Sequence, residues 1–286
     1  MENKTITLKP KEIDKLKEIF APYIFNSNNQ YVNFVIKKGD SQATVYNSGK
    51  AVINNSNLMD EIASLFVDSF VSGIGSDECG TGDVFGPVCV CACYVSNDDY
   101  DFLMKLNVTD SKALTDEKIR NIAPILVSKL TYSLLVLDNK KFNDITKKGY
   151  NLNKIKAILH NTAILNTVKK IGHDCYVCQD QFCEPNLYFK YLINEPKVYQ
   201  NIDFHTKAET YYLGVAAASI IARYAFIEKF DEISNFVGFE LPKGAGVNVD
   251  QTIIELLKSH DMSYFYNIAK INYKNFKKVG DDECII

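Results

Sequence analysis

The chain has 286 residues, of which 47% are hydrophobic and 23% are charged. This composition is typical of a soluble globular protein and excludes extensive disorder and collagen-like repeats, while the length predicts about two domains. With 32 basic and 35 acidic residues the formal net charge is -3, so a globally basic surface is excluded and a polyanion could bind only a local basic patch.

The first 68 residues have the pattern of a small α+β unit with as many acidic as basic side chains. A strand from Thr5 precedes a helix that begins at Pro10, and three short strands and a second helix follow. The three strands are predicted at 31–36, 42–46 and 51–53, and the second helix at 58–66. A composition change at 71–75, after which long uncharged strands begin, places the domain boundary near residue 68.

The remainder alternates predicted strands and helices, which indicates an α/β layer structure. Strands are predicted at 84–95, 131–137 and 174–177, helices at 119–130, 155–171 and 207–230, and further helical pattern at 256–278. The uncharged apolar stretches are shorter than the ~20 residues that span a bilayer. Because the start of the sequence also lacks the basic flank and apolar core of a secretory signal, we expect a cytoplasmic protein without membrane association.

The chain contains 8 cysteines, which without a signal peptide are more naturally reduced thiols than a disulfide framework. Cys89, Cys91 and Cys93 alternate along one predicted strand, so they share one face and are expected to fill the core. Cys175 and Cys178 form a Cys-x-x-Cys pair without a second pair at zinc-ribbon spacing, which argues against zinc.

The densest candidate site is the segment 75–83, Gly-Ser-Asp-Glu-Cys-Gly-Thr-Gly-Asp. Asp77 and Glu78 would point to opposite faces of a regular strand, so both can serve one site only if the strand ends or bends there. Gly80 and Gly82 supply that freedom and let backbone amides approach a ligand. A solvated acidic turn is the alternative interpretation.

Two further acids lie beyond this segment. Asp180 closes an apolar run, a position where α/β proteins often carry site residues, although an ordinary turn aspartate would look the same. Glu209 follows Thr206 at the spacing of a capping box, so a helix cap is the simpler interpretation for it. Four carboxylates without a metal-binding histidine pair nevertheless favour Mg²⁺ or Mn²⁺ chemistry. The histidines, predicted to be surface or core polar residues, are His160, His173, His205 and His260.

The stretch 147–156 carries four lysines, no acid and a tyrosine. This composition suits phosphates and sugars, and a solvated basic face is the alternative.

Eight motifs follow one another along residues 73 to 250. They are Gly75-Ser-Asp77-Glu78-x-Gly-Thr-Gly-Asp, Asp110-Ser-Lys-x-Leu-Thr-Asp, Asn151-Leu-Asn-x-x-Lys-Ala, Leu159-His-Asn, Asp180-Gln-Phe, Thr206-Lys-Ala-Glu209, Val215-Ala-Ala-Ala-Ser-Ile-Ile-Ala-Arg223 and Leu241-Pro-Lys-Gly-Ala-Gly. In this order they resemble bacterial ribonuclease HIII of the ribonuclease HII/HIII family. Thr81 and Glu209 favour the HIII branch, because ribonuclease HII has arginine and aspartate at the matching positions.

The resemblance implies a ribonuclease H-like domain at 69–286, with a mixed sheet flanked by helices, and a TATA-box-binding-protein-like substrate-binding domain at 1–68. It implies a metal-dependent endonuclease, expected to be a monomer, that cleaves the RNA strand of RNA–DNA hybrids to 5′-phosphate and 3′-hydroxyl ends. The acids that match the family's catalytic set, and would hold two Mg²⁺ or Mn²⁺ ions, are Asp77, Glu78, Asp180 and Glu209.

The segment Gly80-Thr81-Gly82 matches the one that reads ribose 2′-hydroxyl groups in this family. Charge and motif position suggest further substrate contacts at Ser111, Lys112, Lys147, Lys148, Asn151, Lys154 and Lys243. Two alternatives stay open. One is a ribonuclease HII-type enzyme that incises at single embedded ribonucleotides, and the other is a non-catalytic hybrid-binding protein with the same fold.

Overall fold

The computed structural model describes residues 4–8, 10–65, 71–108, 114–210 and 212–281, and the statements below refer to this part of the chain. It contains two five-stranded sheets. The strands are β1 (Lys4–Thr7), β2 (Ile24–Phe25), β3 (Val32–Lys38), β4 (Ser41–Tyr46), β5 (Lys50–Ile53), β6 (Gly73–Cys79), β7 (Val88–Val95), β8 (Thr131–Leu137), β9 (Tyr176–Asp180) and β10 (Asp203–His205). The helices are α1 (Pro10–Ile19), α2 (Ser56–Ser64), α3 (Tyr100–Lys105), α4 (Asp116–Lys129), α5 (Asn139–Lys147), α6 (Leu152–Ile171), α7 (Pro185–Tyr191), α8 (Leu213–Val237), α9 (Val247–Leu257), α10 (Met262–Ile268) and α11 (Lys274–Asp281).

The N-terminal sheet is antiparallel, with the strand order β1-β5-β4-β3-β2. Alternate residues of its strands, such as Phe34 and Ile36, are buried with Leu16 of α1 and Ile62 of α2. Both helices therefore cover one face of the sheet, and the predicted small α+β unit is confirmed. The predicted boundary at residue 68 lies outside the described residues and stays a prediction.

The second sheet is mixed, with the strand order β10-β9-β6-β7-β8. Strands β6, β7 and β8 are antiparallel, whereas β9 is parallel to both β6 and β10. Helix α6 packs on one face of this sheet and α8 on the other, which confirms the predicted α/β layers. In the described part of the chain, no helix combines the length and the apolar character needed to cross a membrane.

The three alternating cysteines of β7 confirm the core prediction. Cys89, Cys91 and Cys93 are completely buried and belong to the cluster that faces α8. Val90 and Ala92, which alternate with them, belong to the cluster that faces α6. Because β7 is buried on both faces, it is an uninterrupted apolar run in the sequence.

Helix α8 touches strand β6 through two glycines. A Cβ atom on Gly75 would lie 1.9 Å from the Val215 nitrogen and 2.0 Å from the Gly214 carbonyl carbon, so only glycine permits this approach. The contact places α8 directly against the strand that carries Asp77.

Several predicted boundaries are wrong. Strand β7 begins at Val88 instead of residue 84, because Phe85 leaves the sheet and pairs with Ala269 near the C-terminal end. Strand β9 lies at 176–180, so it begins two residues and ends three residues later than expected. Helix α8 begins at Leu213 instead of residue 207, because Lys207 has a φ of +57°, which no right-handed helix accommodates. The elements that the sequence patterns did not predict are β2, α3, α5, α7, β10 and α9, which lies almost entirely before the predicted helical pattern at 256–278.

Candidate active site

Strand β6 carries the first two acids on opposite faces. It stays in register with β7 up to Cys79 and ends there, one residue after Glu78, so both acids still lie within the strand. Asp77 faces α8 and accepts a hydrogen bond from Ser219 of that helix, whereas Glu78 faces α6. Strand β9 pairs with β6 only as far as Ser76, and Asp180 follows at the end of that pairing.

Asp77 is buried in a strongly negative environment. Its Oδ1 atom accepts a hydrogen bond of 2.7 Å from the Glu78 amide. Burial raises the pKa of Asp77 well above its ordinary value, the charges of Glu78 and Asp180 raise it further, and the hydrogen bonds from Ser219 and the Glu78 amide oppose them. This site therefore favours either a proton or a cation at Asp77.

Glu209 reaches the same region through a short 3-10 turn at Ala208–Thr210. The Ala208 amide donates a hydrogen bond of 2.9 Å to Asp180 Oδ1, which fastens the turn to the end of β9. Glu209 is only 4% exposed. The interpretation of Glu209 as a helix cap is wrong, because α8 begins after it and its N-cap residue, Tyr212, makes no side-chain capping bond.

Glu78 is held by two side chains of α6. Lys156 Nζ lies 2.7 Å from Oε1 and His160 Nε2 lies 2.8 Å from Oε2. Burial alone would raise the pKa of Glu78, but the hydrogen bonds and charges of His160 and Lys156 outweigh it and lower the pKa to about 2. Glu78 is therefore a carboxylate throughout the physiological pH range.

His160 donates from both ring nitrogens. The Ser76 hydroxyl donates to the Cys91 carbonyl oxygen at 3.0 Å, so it accepts from His160 Nδ1 at 2.7 Å. The other nitrogen faces the Glu78 carboxylate, which can only accept. Glu78 is therefore held from the α6 side by both Lys156 and His160.

The roles of Lys156 and His160 were not predicted. Lys156 belongs to the stretch predicted to bind phosphates or to form a basic face, but its side chain is buried against Glu78. His160 was predicted to be an ordinary polar residue. The available signal was their spacing, since residues four positions apart share one face of a helix.

The donor set fits a hard divalent cation. Carboxylate oxygens are the ligands that Mg²⁺ and Mn²⁺ prefer, and the repulsion between Asp77 and Asp180 is what such an ion would relieve. Among the described residues, no group of three or more His, Cys, Asp or Glu side chains is already arranged to hold a metal ion. The structure brings together Asp77, Asp180 and the turn that carries Glu209, but it keeps Glu78 on the α6 face.

The glycine-rich segment forms a loop directly after β6. Gly80 has a φ of +89°, and a Cβ atom there would lie 2.2 Å from the Pro87 carbonyl oxygen, so this position requires glycine. Gly82 is exposed, and a Cβ atom there would meet no described atom within 4 Å. The loop therefore offers an unobstructed backbone surface next to the acids.

The predicted substrate contacts at the start of α6 border a surface cleft of about 380 Å³. The cleft is lined by Asn143, Thr146, Lys147, Gly149, Tyr150, Asn151, Ile271 and Asn272. Lys147 and Lys148 are exposed, and Lys154 Nζ lies 3.8 Å from the centre of the Tyr150 ring. Asn151 caps α6, because its Oδ1 atom accepts a hydrogen bond of 2.8 Å from the Lys154 amide.

Lys243 is not among the residues that line this cleft. Lys243 is half exposed and forms an ion pair with Asp116, which also binds Arg223. Ser111 and Lys112 lie outside the described residues.

Comparisons with known proteins agree with this fold. A family model described as Ribonuclease HII matches residues 74–276, and a model described as a domain of unknown function (DUF3378) matches residues 3–68. The chain therefore belongs to the ribonuclease HII/HIII family of endonucleases.

Its relatives point to the HIII branch. Ribonuclease HIII of Phytoplasma mali is 44% identical over 283 residues, which cover 97% of this chain and 98% of the relative. Ribonuclease HIII of a Geobacillus species is 37% identical over 98% of both chains. The crystal structure of Bst-RNase HIII in complex with Mn²⁺ is 31% identical, with a TM-score of 0.74 over 98% of this chain and 99% of that one.

Proposed function

We propose that this ribonuclease H hydrolyses the RNA strand of RNA–DNA hybrids to 5′-phosphate and 3′-hydroxyl ends, with two Mg²⁺ or Mn²⁺ ions as cofactors. The observation that carries the proposal is the buried Asp77 carboxyl, whose pKa is raised by burial and by the charges of Glu78 and Asp180. Such an arrangement is unfavourable in the ionised state unless a cation binds there. The Mn²⁺ complex of the relative Bst-RNase HIII supports this choice of ion.

Divalent ions at this site would activate the attacking water and stabilise the leaving 3′-oxygen of an in-line displacement. The protein's part is to fix the carboxylates in place. Asp77 is held by the Glu78 amide and by Ser219, and Asp180 by the Ala208 amide. Glu78 would join them as a ligand in competition with its contacts to Lys156 and His160.

Recognition of RNA is assigned to the backbone of Gly80, Thr81 and Gly82. The open surface at Gly82 lets a sugar approach the main chain, which carries donors and acceptors suited to a 2′-hydroxyl group. DNA lacks this group, so the contact separates the two strands of a hybrid.

Phosphate contacts are assigned to Lys147, which lines the cleft, to Lys154, which lies over the Tyr150 ring in the cleft lining, and to the exposed Lys148. Exposed ammonium groups bind phosphates without reading sequence. Asn151 contributes mainly by capping α6, and Lys243 contributes only if it leaves Asp116. Ser111 and Lys112 are included on the basis of their motif alone, and residues 1–68 are assigned to substrate holding on the basis of the family resemblance.

A paired cleavage assay tests the proposal. A continuous RNA–DNA hybrid and a DNA duplex with one embedded ribonucleotide are incubated with the protein and either Mg²⁺ or Mn²⁺. We expect cleavage of the hybrid, and loss of cleavage with retained hybrid binding in Asp77→Asn and Asp180→Asn. Retained metal-dependent cleavage in either variant would contradict the assigned site, and preferred cutting of the single-ribonucleotide duplex would favour an HII-type function.

A further inference from the structure

The glycine-rich loop after β6 is held in shape by a segment nearly two hundred residues further along the chain. We propose that Lys270 and Tyr273 are positioning residues that fix the backbone of residues 81–86, and that Tyr273 thereby sets the preference for RNA over DNA. This inference rests on the proposed function, because it concerns how the loop assigned to ribose recognition keeps its shape.

Lys270 binds the loop from inside the protein. Its side chain is completely buried, and Nζ donates hydrogen bonds to the carbonyl oxygens of Asp83, at 2.8 Å, and Gly86. Its backbone amide donates to the Val84 carbonyl oxygen, also at 2.8 Å. A lysine ammonium group has three donors, and two of them bind loop carbonyl oxygens. Lys270 therefore holds the second half of the loop, residues 83–86, in place.

Tyr273 holds the other half. Its hydroxyl donates a hydrogen bond of 2.8 Å to the Thr81 carbonyl oxygen, inside the segment assigned to ribose recognition. The Tyr273 amide also donates to the Lys270 carbonyl oxygen at 3.1 Å, so both residues belong to one turn. This turn therefore binds carbonyl oxygens at both ends of the loop.

The turn is itself fastened to α5. Asn143 donates to the Ala269 carbonyl oxygen at 2.8 Å and accepts from the Ile271 amide at 3.1 Å. Asn139, from the first turn of the same helix, donates to the Gly86 carbonyl oxygen at 2.8 Å. Both asparagine side chains are buried, so the turn and the loop form one hydrogen-bonded unit with the scaffold.

This arrangement has a consequence for specificity. The carbonyl groups of Thr81 and Asp83 are directed to Tyr273 and Lys270, while Gly82 between them is exposed. A loop that recognises its ligand through main-chain atoms cannot correct a misplaced contact by changing a rotamer. Its discrimination depends on the rigidity of its backbone, and hence on the residues that hold it.

The test compares two ligands in a cleavage-deficient background. Asp180→Asn keeps an oxygen acceptor for the Ala208 amide, and Tyr273→Phe is added to remove one hydroxyl group while keeping the ring. Dissociation constants are measured in Mg²⁺ by fluorescence anisotropy for an RNA–DNA hybrid and for a DNA duplex of the same sequence. We expect the hybrid to bind about five-fold more weakly, the equivalent of one neutral hydrogen bond, and the affinity for DNA to stay unchanged.

Tyr199→Phe in the same background is the matched control. The Tyr199 hydroxyl also donates to a carbonyl oxygen, that of Cys175 at 3.2 Å, but far from the loop. An unchanged ratio of hybrid to DNA affinity in Tyr273→Phe would overturn the inference, as would an equal loss for both ligands, which a merely structural role produces. Cleavage by the protein without these substitutions is measured in parallel, so that failure of the proposed function is recognised separately.

Discussion

Replacing Glu78 with glutamine tests how strongly Lys156 and His160 stabilise this carboxylate in the folded protein. Its pKa is lowered from 4.5 to about 2 although the side chain is buried. At about 1.4 kcal/mol per pKa unit, this shift corresponds to about 3 kcal/mol of folding free energy. Because the folded pKa is the lower one, this stability is fully present above pH 4.5 and is lost as the pH falls towards 2.

The measurement is urea unfolding of the metal-free protein at about pH 6 and about pH 3. Both proteins carry Asp77→Asn, because the Asp77 carboxyl is coupled to Glu78 and would otherwise titrate differently in the two. Groups that do not contact Glu78 cancel in the comparison. The protein with Glu78 is expected to lose about 2 kcal/mol of unfolding free energy, relative to Glu78→Gln, when the pH is lowered from about 6 to about 3.

The same pH dependence in both proteins would refute the reasoning, because Glu78 would then titrate alike in the folded and unfolded chains. Lys156→Met in the same background provides an internal check. It removes the charge that lies 2.7 Å from Oε1 but leaves His160 in place, so the difference between the two pH values should shrink without vanishing.

Three further predictions concern groups around the site. Burial lowers the pKa of Lys270 from 10.5 to about 8, so the folded protein loses this proton at a lower pH than the unfolded chain does. The free energy of unfolding, relative to that of Lys270→Met, should therefore rise by about 2 kcal/mol between pH ~7.5 and ~9.5, and the same pH dependence in both proteins would contradict this. Gly75→Ala would force α8 away from β6 and should cost about 3 kcal/mol in urea unfolding, whereas an unchanged midpoint would show that the helix shifts freely. Asp77→Asn should raise the thermal midpoint of the metal-free protein while abolishing cleavage, and a lower midpoint would show that burial of this carboxyl is not costly.

The sequence predicted those features of the site that are local. The acids and glycines around Asp77 form one continuous segment, so their residue types alone suggested metal and backbone chemistry. The strand predicted at 131–137 likewise coincides with β8 at both ends.

The features that the sequence did not reveal depend on contacts between distant segments. Glu78 and His160 are 82 positions apart and meet only because α6 packs on β6. The pattern from Thr206 to Glu209 is locally that of a capping box, but the bond between Ala208 and Asp180 draws it into a separate turn. The apolar run that begins at Val84 looked like strand because its pairing with the C-terminal segment has no local signal.

The buried cysteines of β7 make this strand a reporter of how often the catalytic sheet opens. Burial raises the pKa of Cys89 to about 12 and raises those of Cys91 and Cys93 as well. Since the thiolate is the reactive form, these thiols are inert towards alkylating reagents in the closed protein. Their slow labelling would therefore measure opening of the strand beside Asp77, and ions or substrate that bind only the closed state should slow it further.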